Sequence, residues 1–245
     1  MIFYAMTDVG QLRDSNQDYV FASDAGVGNL SNLYIVADGM GGHLAGEYAS
    51  ETAVKTVLED VREKHADKPI AILESAIQVA NKRVYTEAQN DVKKRGMGTT
   101  MVAATVSGGR LYVANVGDSR LYAVSNGRLQ QITRDHSVVE ELVRSGGLSK
   151  ELASKHKDKH KITRAIGAEP EVKVDFFDVA IDDISAVLMC TDGLTNMMED
   201  SAIEEVLLSG EKVKQKVEGL VRTANENGGE DNITVVVIDS FEDEV

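Results

Sequence analysis

Three stretches of the sequence share one format. In Ile35-Val36-Ala37-Asp38-Gly39, Asn115-Val116-Gly117-Asp118-Ser119 and Met189-Cys190-Thr191-Asp192-Gly193, an aspartate stands where an apolar run ends, beside a glycine. Gly229-Glu230-Asp231-Asn232 is the mirror image, with acids just before an apolar run. Strand ends on one side of a sheet are rigid and close together, so they suit a site that must hold several charges. Carboxylates gathered in this way repel one another unless a cation lies between them. The donors are all oxygens, with no paired cysteines and no His-x-x-x-His, which selects magnesium or manganese over zinc or copper. A lone Asp-Gly is more often a turn. Four sites of one format favour a metal centre, although spacing alone leaves the turn reading open.

Two neighbouring segments carry further chemistry. Asp38-Gly39-Met40-Gly41-Gly42-His43 lacks the Gly-Lys-Ser/Thr of a phosphate loop and the third glycine of a dinucleotide fingerprint. Its glycines instead let a backbone carbonyl approach a cation. Arg13 lies among acids in a segment too polar for a core strand, residues 7–18. A guanidinium there is able to grip a phosphate with two hydrogen bonds, or to form a surface ion pair with Asp14.

The elements that would position these residues follow from hydrophobic periodicity. Runs at 33–37, 99–106, 111–116, 121–124, 174–178, 186–190 and 233–238 predict strands. Gly108-Gly109, Gly117-Asp118 and Asn126-Gly127 supply turns, so 99–133 reads as an antiparallel meander. Apolar residues at helical spacing predict helices over 46–65, 70–89, 201–208 and 213–225. Strands, a helix pair, a run of strands, a second helix pair and a last strand spell α+β layering with antiparallel sheets, not an alternating βαβ fold. The His- and Lys-rich stretch 136–170 reads as an insertion over one edge of the core.

Composition sets the outer bounds. At 245 residues, 42% hydrophobic and 27% charged, the chain fits one globular domain spanning 1–245. Forty acids against 26 bases give a formal charge of −14, which repels a nucleic-acid backbone. One cysteine excludes an internal disulfide and suggests a reducing, cytoplasmic setting. The first residues lack the basic and apolar regions of a signal peptide. No run approaches the ~20 apolar residues needed to span a bilayer. Cys190 lies in an apolar run and reads as a buried, inert thiol.

Taken in order, Arg13 with Asn16-Gln17-Asp18, Asp38-Gly39-Met40-Gly41-Gly42-His43, Gly98-Thr99-Thr100, Gly117-Asp118-Ser119-Arg120, Asp135-His136-Ser137, Thr163-Arg164-Ala165-Ile166-Gly167, Thr191-Asp192-Gly193-Leu194 and Asp231-Asn232 resemble the motifs of protein phosphatase 2C-like enzymes. The compact bacterial type, which opposes serine/threonine kinases, is the nearest in pattern, and the resemblance runs from Thr7 to about Asp239. It implies a sandwich of two antiparallel sheets flanked by antiparallel helix pairs, with a flap at about 136–167. It implies that Asp18, Asp38, Asp192 and Asp231 hold two core manganese or magnesium ions, with the Gly39 carbonyl. Asp118, with Asp192, matches a third, weaker metal site. Arg13 matches the phosphate-gripping arginine and acts in catalysis with Asp38 and Asp192, while Asn232 and His43 support the ligands. The implied reaction is attack on phosphoserine or phosphothreonine by a hydroxide bridging two cations about 3.5–4 Å apart. Animal members carry a histidine where Met40 stands, which leaves the proton donor open between His43 and a metal-bound water. Phosphorylated proteins, a cognate kinase among them, are the implied partners of a monomeric enzyme. Lys157 and His160 belong to a basic patch on the flap that would capture substrates. His136 is expected to cap the segment entering the flap.

Overall fold

A computed structural model describes residues 1–42, 44–63, 66, 68–149, 152 and 156–239. Eleven strands form two antiparallel sheets. One sheet contains β1 (Ile2–Asp8), β11 (Ile233–Asp239), β10 (Ile184–Cys190), β7 (Arg120–Ser125) and β8 (Arg128–Gln131), in that order. The other runs β2 (Asp18–Ser23), β3 (Leu33–Met40), β5 (Met101–Ser107), β6 (Arg110–Val116) and β9 (Asp175–Ala180), with β4 (Gly98–Thr99) beside β3. Helices α1 (Ala45–Glu63) and α2 (Pro69–Asn90) cover the second sheet, where Ile35, Met101 and Ala114 pack against Ala53, Val57, Leu73 and Ile77. Helices α5 (Asp200–Leu208) and α6 (Val213–Glu226) cover the first, where Leu188, Val235 and Val237 meet Ile203, Val217 and Leu220. The expected α+β sandwich with flanking helix pairs is therefore the fold, and the four long helices lie within two residues of their expected spans at every described end.

Side-chain alternation builds the layer between the sheets. Phe3 and Ala5, Val187 and Met189, and Val236 and Ile238 face inward from one sheet. Val20 and Ala22, Tyr34 and Val36, Val102 and Ala104, and Leu111 and Val113 meet them from the other. One step of two further along these strands the inward positions turn polar, at Thr7, Asp18, Asp38, Thr100, Asn115, Thr191 and Thr234. The antiparallel registers gather the ends of β1, β3, β6 and β10 with the starts of β2, β5, β7 and β11. One end of the inter-sheet layer is therefore polar.

Three expectations need correction. The stretch 99–133 is not one meander: β5 pairs with β6 and β7 with β8, and the chain changes sheet at Gly117-Asp118. Gly117 has φ +103°, and a Cβ there would lie 2.6 Å from the Thr100 side chain, so the crossing excludes any larger residue. Strands β1 and β2 add to the expected set, β8 follows the Asn126-Gly127 turn, and α3 (Val138–Arg144) lies within the stretch read as an insertion. Ser137, not His136, caps α3, accepting a hydrogen bond from Glu140 N at 3.2 Å.

Leu111 is fully buried between the sheets. Leu111→Ala should lower unfolding free energy by about 2–5 kcal/mol, read from a shifted denaturant midpoint at unchanged m-value. A loss below about 1 kcal/mol would contradict the packing described.

Candidate metal centre

At the polar end of the layer lies a cavity of about 470 Å³. Asp38 and Gly39 reach it from the end of β3, and Asp118 from the crossing between sheets. Asp192 opens the short helix α4 (Asp192–Thr195), and Asp231 precedes β11. Arg13 lies at the rim, half exposed, donating from Nη2 to Asp231 Oδ2 at 2.8 Å and from Nε to the Glu230 carbonyl at 3.3 Å. Asp18 does not line the cavity; it is buried behind the wall, directly opposite Asp38 across the β2–β3 pair.

The local chemistry fixes these side chains. Asp38 N donates to Thr100 Oγ1 at 2.9 Å, and Thr100 Oγ1 lies 2.7 Å from Ser119 Oγ beside Asp118. Asn196 Nδ2 donates to Asp192 Oδ2 at 2.9 Å. Asn232 N donates to Asp231 Oδ1 at 2.8 Å. The Asn232 side chain accepts from Gln17 N and donates to the carbonyls of Val9 and Ser15, stapling the Arg13 loop to the start of β11. At Gly39 a Cβ would stand 2.0 Å from the Gly46 carbonyl, so this backbone abuts the first turn of α1. His136 is buried, and its Nδ1 accepts from Gly117 N at 2.9 Å, so it braces the turn that carries Asp118.

Electrostatics bind the group together. Burial, helped by the charges of Asp192 and Asp231, raises Asp18 from the ordinary 3.8 to about 7, against the opposing hydrogen bonds of Thr234 and Thr191. Asp118 rises to about 7, through burial and then the charges of Asp192 and Asp135. Asp38 stands well above the usual carboxylate range, through burial and then repulsion from Asp18, Asp192, Asp118 and Asp231. Burial and Asp231 raise Asp192. Asp18 Oδ1 and Asp192 Oδ1 are buried and have no hydrogen-bond partner among the described residues. Among those residues no three His, Cys, Asp or Glu side chains stand close enough together to hold a metal ion as a group. Hard oxygen donors, mutual repulsion and two orphaned buried oxygens fit divalent magnesium or manganese. Cys190 is buried, its thiol pushed up to about 12, so it is no nucleophile.

Of the flap residues, His160 lines the cavity and Lys157 does not. The ends of the stretch expected to form a flap are tied together: Val138 N donates to the Lys161 carbonyl and Thr163 N to the His136 carbonyl. Lys161 is paired with Asp158 at 2.8 Å. His43, with its expected role, lies outside the described residues. The sequence motifs include Thr100 without a role at the site and pass over Ile162, Asn196 and Met197, all of which line the cavity. The signal for Thr100 was its phase, two residues before the inward-facing Val102.

The family model for protein phosphatase 2C matches residues 11–236. A serine/threonine phosphatase of Listeria monocytogenes is 42% identical over 240 residues, covering 95% of this chain and 93% of the relative. The crystal structure of serine/threonine phosphatase Stp1 from Staphylococcus aureus aligns with a TM-score of 0.91 at 32% identity, covering 97% of this chain and 94% of that one. The catalytic domain of serine/threonine protein phosphatase PstP, solved in complex with two manganese ions, aligns at 0.82 and 33% identity, with 97% of each chain covered. By its motifs, its fold and these matches over nearly its whole length, the chain belongs to the protein phosphatase 2C family.

Proposed function

We propose that this protein hydrolyses phosphoserine and phosphothreonine on other proteins, with Asp38, Asp192 and Asp231 holding two divalent cations. Family membership makes it a protein serine/threonine phosphatase. The observation that carries the site reading is the set of carboxylates lining one cavity, with a single guanidinium at the rim. Asp18 would act on the same ions from behind the wall, Gly39 through its carbonyl, and Asp118 with Asp192 at a third, weaker site. Bound cations supply a water acidified to hydroxide at neutral pH, together with positive charge facing the phosphoryl oxygens. Arg13 orients the phosphate by paired N–H donors and offsets charge as the in-line displacement proceeds. Asn232 keeps Arg13 and Asp231 in register. We read residues 1–245 as one domain with a flap at 136–167, acting as a cytoplasmic monomer opposite a serine/threonine kinase. Among the described residues, no helix is long and apolar enough to cross a membrane.

The direct test is phosphate release from a phosphothreonine peptide. Activity should require manganese or magnesium and vanish with chelator, and Asp192→Ala should lose at least about 100-fold in kcat while remaining folded. Turnover that survives complete metal removal would reject the mechanism.

The raised carboxylates give a second test, with a definite sign. Folded Asp18 and Asp118 keep their protons to about 7, whereas the unfolded chain releases them near 3.8. Between those values the folded state binds more protons, so its stability falls as pH rises from about 4 to about 7. In chelator, Tm should decline across that window, and added manganese should reverse the decline. A flat profile in chelator would count against the carboxylate cluster.

On the flap, Lys157, Lys159 and Lys161 concentrate positive charge on an acidic chain. Replacing all three by alanine should raise KM for an acidic phosphopeptide several-fold while leaving KM for a small aryl phosphate unchanged. Equal KM values for the peptide before and after would dismiss the capture role.

A further inference from the structure

The inward positions that turn polar at the end of the inter-sheet layer include three threonines that catalysis has not used. Thr7 lies on β1, Thr191 follows β10 and Thr234 lies on β11, each one step of two beyond an apolar inward residue. Thr191 and Thr234 are fully buried, and both donate to Asp18 Oδ2, at 2.8 and 2.7 Å. Thr234 N donates in turn to Thr191 Oγ1 at 2.9 Å. Thr7 Oγ1 stands 2.8 Å from Thr234 Oγ1 and accepts from Asn16 Nδ2, also at 2.8 Å. The circuit closes where Asp18 N donates to Asn16 Oδ1 at 3.0 Å.

Donor counting gives this circuit a direction. A hydroxyl has one proton to donate, and the short bonds to Asp18 Oδ2 take those of Thr191 and Thr234. The Thr7 proton must then go to Thr234, and the oxygen of Thr7 is left to accept from Asn16, as observed. Thr191 Oγ1 has a second, longer contact to the Asn232 carbonyl at 3.4 Å, and Asp18 Oδ2 receives both of its hydroxyl donors from the side of the first sheet although Asp18 itself belongs to the second. The other oxygen, Oδ1, has no partner among the described residues. The polar circuit thus ties the two sheets together at the site and divides the labour of one carboxylate between its two oxygens.

We propose that Thr7, Thr191 and Thr234 are positioning residues of the metal centre. Their hydroxyl relay holds Asp18 in place through Oδ2 and leaves Oδ1 as the carboxylate oxygen for the metal centre. The proposal rests on the metal-centre reading above and goes beyond it, because none of the three hydroxyls would itself touch a cation. A valine in place of threonine keeps the shape and removes the donor, whereas serine keeps the donor.

Manganese binding to the whole protein, measured by calorimetry at neutral pH, tests the relay, with Tm in chelator as the control for folding. Thr234→Val should weaken manganese binding by about tenfold or more, while Thr234→Ser stays within about threefold of wild type. Thr7→Val, at an exposed position on an edge strand, should weaken binding in the same direction without loss of Tm in chelator. That variant decides the matter should Thr234→Val fail to fold. Wild-type affinity in the folded valine variants would overturn the relay and leave the metal reading standing. Absence of manganese binding in the wild type would overturn both.

Discussion

Buried carboxylates repel, and that repulsion organises one end of this molecule. Asp38, Asp118, Asp192 and Asp18 all hold protons more tightly than an exposed acid, because burial and neighbouring charge disfavour ionisation together. An arrangement of this kind persists only when the rest of the fold over-determines it. Two sheets supply that constraint. Each contributes carboxylates from strand termini, and the apolar layer between them, from Phe3 to Ile238, fixes their separation. The residues that would otherwise relax away from one another are pinned by specific hydrogen bonds: Thr100 accepts from the Asp38 backbone N, Asn196 donates to Asp192, and Thr191 and Thr234 donate to Asp18.

How much of this was legible in the sequence depends on which physical signal each element carries. The long helices declared themselves because an apolar stripe repeated over several turns has few alternative readings. The Asp-Gly format located the cavity residues, since a strand that ends in a turn leaves its last side chain at the sheet edge. Strand β1 was less legible: Ile2–Asp8 lies at the edge of its sheet and most of its residues are only partly buried, so the hydrophobic contrast is weak. β2 begins on Asp18 itself, and its polar approach hid the strand.

Two errors have a common cause. Gly117-Asp118 has the composition of a hairpin turn, yet it carries the chain from one sheet to the other. Local sequence specifies that the chain bends; only the packing of Thr100 against Gly117 specifies which way. His136 was read through its neighbours as a cap for the flap, and Ser137 performs that role, as its residue type would favour. What His136 does, accepting a hydrogen bond from Gly117 N, joins positions 19 residues apart and has no short-range signature. The threonine relay is an intermediate case. Thr7, Thr191 and Thr234 share a phase with the apolar residues beside them, but their common target becomes visible only when β2 is brought against the opposite sheet.

The sign of the charge raises a final issue of function. A chain of formal charge −14 must attract a phosphate dianion to a cavity walled by acids. Arg13 alone does not offset that field, because its guanidinium is already hydrogen-bonded to Asp231. In the proposed mechanism the cations therefore have two roles, activating water and reversing the sign of the cavity. Binding of metal and of phosphorylated substrate is then thermodynamically linked, each raising the affinity of the other by the same factor. On this argument the carboxylates are arranged to make the site conditional: the acidic walls exclude phosphate unless the ions are held, and the relay behind Asp18 sets how firmly they are held.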